Sequence, residues 1–212
     1  MQIRHPKYYH DEVWNTLTHG LGLVFIVVGG IALLIQAYGA SLLDLVAVSI
    51  YVAGAMFVYA SSTAYHATRP GVLKERLNRI DHISIYFMIA GSHMPIILRY
   101  FNNSEGYLFL AILWSLVLLG IIFKVFFMEK SETISLILYV VMGCLSVFLF
   151  PQMTVLISPL LLKLLLAGGL FYLIGIIFYC WHSLPYNHPI WHLFVLAGSI
   201  AHFIAIYLVV SS

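Results

Sequence analysis

Apolar runs long enough to cross a bilayer recur along this chain, and that recurrence limits its possible folds more than any other feature. A hydrocarbon core about 30 Å thick needs roughly 20 residues of helix at 1.5 Å per residue. Seven segments meet that requirement: 17–38, 43–65, 80–98, 107–127, 134–150, 160–181 and 190–210, the fifth being the shortest. Between them lie turn-forming or polar stretches: Tyr38-Gly39-Ala40-Ser41, 69–79, Asn102-Asn103-Ser104-Glu105-Gly106, Glu129-Lys130-Ser131-Glu132, 151–159 and Ser183-Leu184-Pro185-Tyr186-Asn187. Short connections make sequential helices antiparallel neighbours. The expected fold is all-α and polytopic, one bundle of seven transmembrane helices over residues 1–212, with no internal repeat, low-complexity tract or interdomain linker.

Composition excludes the water-soluble alternatives. Only 8% of the residues are charged and 62% are hydrophobic, too few polar groups to cover a globule in water, so lipid must be the solvent for most of the surface. The net charge of +2 is small and the basic residues are scattered, which gives nucleic-acid phosphates nothing to follow. Cys144 and Cys180 both fall in apolar segments and read as small buried hydrophobes. The first apolar run follows the mixed stretch 4–15 and has full spanning length, so it reads as a retained helix and not as a cleaved signal.

Arginine and lysine distribution sets the expected orientation. Arg4, Lys7, Arg69, Lys74, Arg76, Arg79, Lys124 and Lys130 fall on one side, and only Arg99 and Lys163 on the other. Under the positive-inside rule the N-terminus is cytoplasmic, and an odd number of spans puts the C-terminus outside a multi-pass cell-membrane protein. Tyr8, Trp14, Tyr65, Tyr100, Tyr107, Trp181 and Trp191, at helix ends, read as interfacial anchors.

That topology brings the ionisable residues together. Ser62 and His66 end the second helix, Asp81 and His82 start the third, and His188 and His192 start the seventh, all on the expected cytoplasmic side. Residues four apart share a helix face, so His188 and His192 can bite one ion, and His66 arrives from another helix. Three neutral imidazoles are the ligand set of a catalytic Zn²⁺ that keeps an open position for water. Asp81 would hydrogen-bond that water or serve as general base, and Ser62 would hydrogen-bond the same water or a substrate carbonyl. Glu12, Asn15 and His19 recur at helical spacing where the first helix enters the membrane; they read either as an N-terminal cap or, with His82, as residues beside the metal. His202 lies too far along from His192 to share its ion and reads as a structural hydrogen-bonding residue, and His93, in Gly91-Ser92-His93-Met94-Pro95, reads as a packing residue of a proline-kinked helix.

Several segments carry a resemblance: Glu12-Val13-Trp14-Asn15-Thr16-Leu17-Thr18-His19-Gly20, Ser61-Ser62-Thr63-Ala64-Tyr65-His66, Arg79-Ile80-Asp81-His82, and His188-Pro189-Ile190-Trp191-His192-Leu193-Phe194-Val195 running on through Gly198 and His202. Together they resemble the bacterial hemolysin III family, which is grouped with the progestin and adipoQ receptors and, more distantly, the alkaline ceramidases. The resemblance implies a seven-helix fold with zinc near the cytoplasmic face, held by His66, His188 and His192, with Asp81 and Ser62 close by. The Glu12, Asn15, His19 pattern is typical of the bacterial branch.

Three functions follow as expectations. The first is a zinc-dependent hydrolase acting on a membrane lipid, at an amide bond. The second is a non-catalytic membrane regulator or sensor in which zinc only ties helices together. The third, from the family's name, is a pore-forming cytolysin, against which the pattern of a resident membrane protein argues.

Overall fold

In a computed structural model the described residues are 6–127 and 132–211, with side chains described from Asp11 onward; they are helical almost throughout and include no strand. Arg4, His5, Lys7, Tyr8, His10, Glu129, Lys130 and Ser131 fall outside the described side chains. The order is α1 (Pro6–Ala40), α2 (Leu42–Ala67), α3 (Val72–Tyr100), α4 (Ser104–Phe126), α5 (Glu132–Cys144), a 3-10 stretch (Leu145–Leu149), α6 (Phe150–Leu156), α7 (Pro159–Cys180) and α8 (Asn187–Ser211).

Six stretches are long and apolar enough to cross a membrane: Asp11–Ala40, Leu42–Ala67, Ser104–Phe126, Glu132–Leu156, Pro159–Cys180 and Asn187–Ser211. Their outer faces expose large apolar side chains such as Val28, Ile35, Phe148 and Val155, as helices solvated by lipid do. The exception, α3, is 29 residues long and carries Lys74, Glu75, Arg76, Arg79 and Asp81 in its first turns. It packs against α2, α4, α5 and α8. A helix sheathed by others meets little lipid and tolerates polar residues, which explains why it alone falls short in apolarity.

The connections follow from caps. Ser41 accepts from Asp44 N–H at the start of α2, Asn103 from Gly106 N–H at α4, and Ser158 from Leu161 N–H at α7, each satisfying a backbone donor that has no intrahelical partner.

Three sequence expectations need correction. First, 151–159 is not a loop, because helix runs on to Leu156. Pro151 sits in the first turn of α6, where a missing N–H costs little, and it breaks the ladder of the preceding turn, which tightens to 3-10 geometry. Second, most of 69–79 is helical, since α3 already begins at Val72 and its charged turns extend the helix beyond the apolar span. Third, Cys180 is exposed at the last residue of α7, while Cys144 is half-buried; both are free thiols.

α2 and α3 pack closely. A Cβ on Gly54 would stand 2.7 Å from the Phe87 carbonyl oxygen, and one on Gly91 3.1 Å from that of Ile50. Small residues on both sides let the two backbones approach, the usual device where lipid supplies no hydrophobic drive between helices. This contact holds the end of α2 against the start of α3. Gly54→Ala is expected to destabilise the protein by about 1–3 kcal/mol, as overpacking against backbone does. Gly169→Ala, where a Cβ meets open space, should be neutral or slightly stabilising. Thermal unfolding of the two variants in detergent checks the pair.

Candidate metal centre

α1, α2 and α8 build the site at one end of the bundle. His66 lies in the last turn of α2, and His188 and His192 lie one turn apart at the start of α8. Pro189 between them sits in the first turn, where proline fits a helix. One ring nitrogen from each of the three histidines lies within 4.8 Å of the others. The ring centroids are 5.2 Å (His66–His188), 5.1 Å (His66–His192) and 4.6 Å (His188–His192) apart. His66 and His192 are buried; His188 is partly open.

Hydrogen bonds fix which nitrogen of each buried ring is free. His66 Nδ1 is 2.7 Å from Glu12 Oε2, and the other oxygen of Glu12 is 3.2 Å from Lys74 Nζ. A carboxylate paired with lysine only accepts, so His66 Nδ1 donates and Nε2 keeps its lone pair. At the second ring, the Thr18 hydroxyl directs its proton to the carbonyls of Trp14 (2.9 Å) and Asn15 (3.0 Å). It therefore accepts from His192 Nδ1, 3.2 Å away, and His192 Nε2 also keeps its lone pair. Neither Nε2 has a hydrogen-bond partner, although both are buried.

Buried lone pairs without donors are costly in a low-dielectric interior. A cation shared by the three rings removes that cost, and three neutral imidazoles suit zinc or a similar transition ion, not calcium or magnesium, which take oxygen ligands. The residues present therefore fit a metal.

The other expected site residues fall around this group. Asp81, near the start of α3, is buried beside the Ser62 hydroxyl, which is itself fully buried and lies within reach of the carboxylate. His19 stacks on His192 at 3.5 Å between centroids and meets the edge of Tyr59 at 5.2 Å. Both His19 nitrogens and Asn15 Oδ1 are buried without partners. Glu12 and His19 reach the histidine group with their side chains, and Asn15 with its backbone carbonyl beside His192. His82 lies outside that group and donates from Nδ1 to the carbonyl of Asn78 (2.7 Å) in its own helix, while its own carbonyl accepts from Tyr139. His93 Nδ1 bonds the Ile89 carbonyl of its own helix at 2.8 Å, and His202 Nε2 crosses from α8 to the Leu165 carbonyl of α7 at 3.2 Å, a structural hydrogen bond between helices.

Four residues escaped the sequence reading as parts of this region. Lys74 ties Glu12 to the end of α2 by donating to the carbonyl of Tyr65 (3.1 Å), which also accepts from the Thr68 N–H, and to that of Thr68 (3.2 Å). Lys124 of α4, only 2% exposed, lies near Asp81 and Glu132. Both had counted only as topology charges. Thr18 stands one residue before His19, and Tyr59 one turn before Ser62 and Thr63. Their partners come from elsewhere in the chain, so spacing alone carried no signal for them.

Comparison with known proteins identifies the family. A family model described as haemolysin-III related matches residues 7–203. A Hemolysin-3 homolog of Bacillus subtilis (strain 168) is 37% identical over 198 residues, 92% of each chain. Hemolysin-3 of Bacillus cereus is 35% identical over 205 residues, 96% of this chain and 93% of the relative. At greater distance, the human monocyte to macrophage differentiation factor is 26% identical over 213 residues, 96% of this chain and 86% of its own. With six apolar spans and these matches along nearly its whole length, the chain belongs to the haemolysin-III related family and is a multi-pass membrane protein.

Proposed function

We propose that this protein is a zinc-dependent hydrolase of the cell membrane, acting at an amide bond of a lipid that stays in the bilayer. Its domain is a single bundle of seven spans, α3 being the seventh, with the N-terminus cytoplasmic and the site just inside the cytoplasmic leaflet. One observation carries the reading: the buried Nε2 lone pairs of His66 and His192 lack partners, while hydrogen bonds at Nδ1 hold both rings in the ligating tautomer. Such carboxylate and hydroxyl partners to ligating imidazoles orient metal sites generally.

His66, His188 and His192 would hold the ion. When bound by three imidazoles, zinc supplies an acidified water and a polarising charge for a carbonyl. The chain's own groups do the rest. Asp81, a buried carboxylate with Lys124 nearby, takes and returns the proton. The buried Ser62 hydroxyl, beside Asp81, has a proton to donate to the oxygen that gains charge. Glu12, Lys74 and Thr18 keep the imidazoles turned correctly, and His19 walls the site against α1. The choice of an amide follows from the resemblance to alkaline ceramidases, and the choice of a lipid from a site enclosed by membrane helices.

A regulator with structural zinc is the second reading, favoured by one feature: the ligands join α2 and α8, between which α1 is inserted, so an ion would also act as a clasp. The two readings part at Asp81.

Elemental analysis of purified protein is expected to find about one zinc per chain, bound by the three-histidine set, and to find it lost in His188→Ala and His192→Ala. Metal-free parent protein would count against both readings. Asp81→Asn should keep the zinc and the fold but lose chelator-sensitive hydrolysis across a lipid panel; an unchanged physiological effect in that variant favours the regulator. Glu12→Gln, which removes the charge on His66's partner, should weaken metal affinity by about 10–100-fold, measured by competition with a chromophoric chelator.

A further inference from the structure

Beside the histidines, α1 and α8 leave an open groove on the face of the bundle. It has a volume of about 420 Å³ and is lined by Trp14 and Thr18 of α1, Pro189, Ile190 and Leu193 of α8, and Tyr186 just before it. The lining is mainly apolar. Trp14 is 52% exposed and Leu193 53%, and both belong to helices able to cross a membrane, so the groove opens toward the bilayer. Its size lies within the range of small-molecule sites.

Two observations connect the groove to the site. Thr18 lines it, and the same hydroxyl is 3.2 Å from His192 Nδ1, so one side chain separates groove from imidazole. Pro189, on the opposite wall, directly follows His188, the one histidine of the three that is not buried. Thr18 and Pro189 thus stand between the groove and the histidines, one bonded to His192 and the other next in sequence to His188. The two helices run parallel here, since residues near their starts pair (Thr18 with His192) as do those further along (Phe25 with Phe203). A chain lying along the groove would therefore keep to the direction of the surrounding lipid.

We infer that the α1–α8 groove is the lateral port of the site, seating one hydrocarbon chain of a membrane lipid while its polar head reaches the histidines past Thr18 and Pro189. The inference rests on the hydrolase reading for its purpose but not for its test. Trp14 and Tyr186 form an amphipathic rim of the kind that sits at the headgroup level. Exposed Leu193 and Ile190 supply the apolar wall, and the side chain at 193 sets how much chain the groove admits.

Protein reconstituted in phosphatidylcholine vesicles containing a phospholipid or N-acyl lipid with a diazirine on the acyl chain is irradiated, digested and mapped by mass spectrometry. Label should concentrate on the peptides holding Trp14 and 189–193. Leu193→Trp, which fills room for about two methylenes, should reduce that label roughly tenfold. Ile190→Ala, which widens the groove, should keep or raise it. Ile35→Trp, on a lipid-facing part of α1 away from the groove, should leave it unchanged and serves as the control for added bulk. Label spread evenly over the lipid-facing helices, or insensitive to Leu193→Trp, overturns the port. Lipid turnover is measured on the same samples. Groove labelling without any product sinks the hydrolase reading and leaves the port standing, whereas product formation with label elsewhere does the reverse.

Discussion

Inside a bilayer no water stands ready to satisfy a polar atom, so an imidazole buried at the end of a helix bundle must find its partners within the protein. The hydrogen bond from His66 Nδ1 to Glu12 meets half of that demand and creates the other half. By fixing the proton on Nδ1 it leaves a lone pair on Nε2 that nothing among the described residues answers. His192 repeats the pattern with Thr18 as its partner. The same pair of bonds defines the tautomers, aims the free nitrogens and makes a shared cation the economical solution. Much of the neighbouring architecture serves to keep those partners in place.

α3 shows how the bundle accommodates such polarity. It is the helix with most polar residues, and it sits where the others shield it. The close contact of Gly54 with the Phe87 carbonyl and of Gly91 with that of Ile50 pulls it against α2, bringing Asp81 and Ser62 into one buried neighbourhood. Lys124 comes to the same region from α4, so the carboxylate is not isolated in a medium that penalises single charges. At the far end of the bundle, Asp44 of α2 meets Arg99 of α3 at 3.3 Å and accepts from Ser41 at 2.6 Å. That pair is self-contained, and it closes the same two helices at the end opposite the histidines.

The helices were legible because apolar length is a direct consequence of bilayer thickness, and every apolar segment proved helical. Boundaries were less so. Counting apolar residues stops a helix where its composition turns polar, yet backbone hydrogen bonds continue wherever no residue opposes them. Hence α1 and α3 begin well before their apolar portions, and α6 follows Pro151 directly. The histidine triad was legible from the i, i+4 pair in α8 and from the topology that returns α2 to the same side. Thr18, Tyr59 and Lys74 were not, because each acquires its role from a partner far away in sequence. His82 shows how sequence adjacency leaves a role open: its Nδ1 bonds the Asn78 carbonyl of its own helix, while its ring stays within electrostatic reach of His66 and His188.

The arrangement gives α1 an influence that its lack of ligands conceals. It packs against α2 on one side and α8 on the other, and it sends Glu12 to His66 and Thr18 to His192. The spacing of the two ligand-bearing helices is therefore set through α1, by residues six positions apart on one helix. His19, the next residue after Thr18, fills the space against the His192 ring, and Trp14, between Glu12 and Thr18, walls the groove to the lipid. A slip of one residue in the register of α1 would rotate all four by roughly 100°, releasing both imidazoles and reshaping the groove in the same movement. Access from the membrane and orientation of the histidines are thus coupled through one helix, and α1 is the element in which a change far from the imidazoles would alter both.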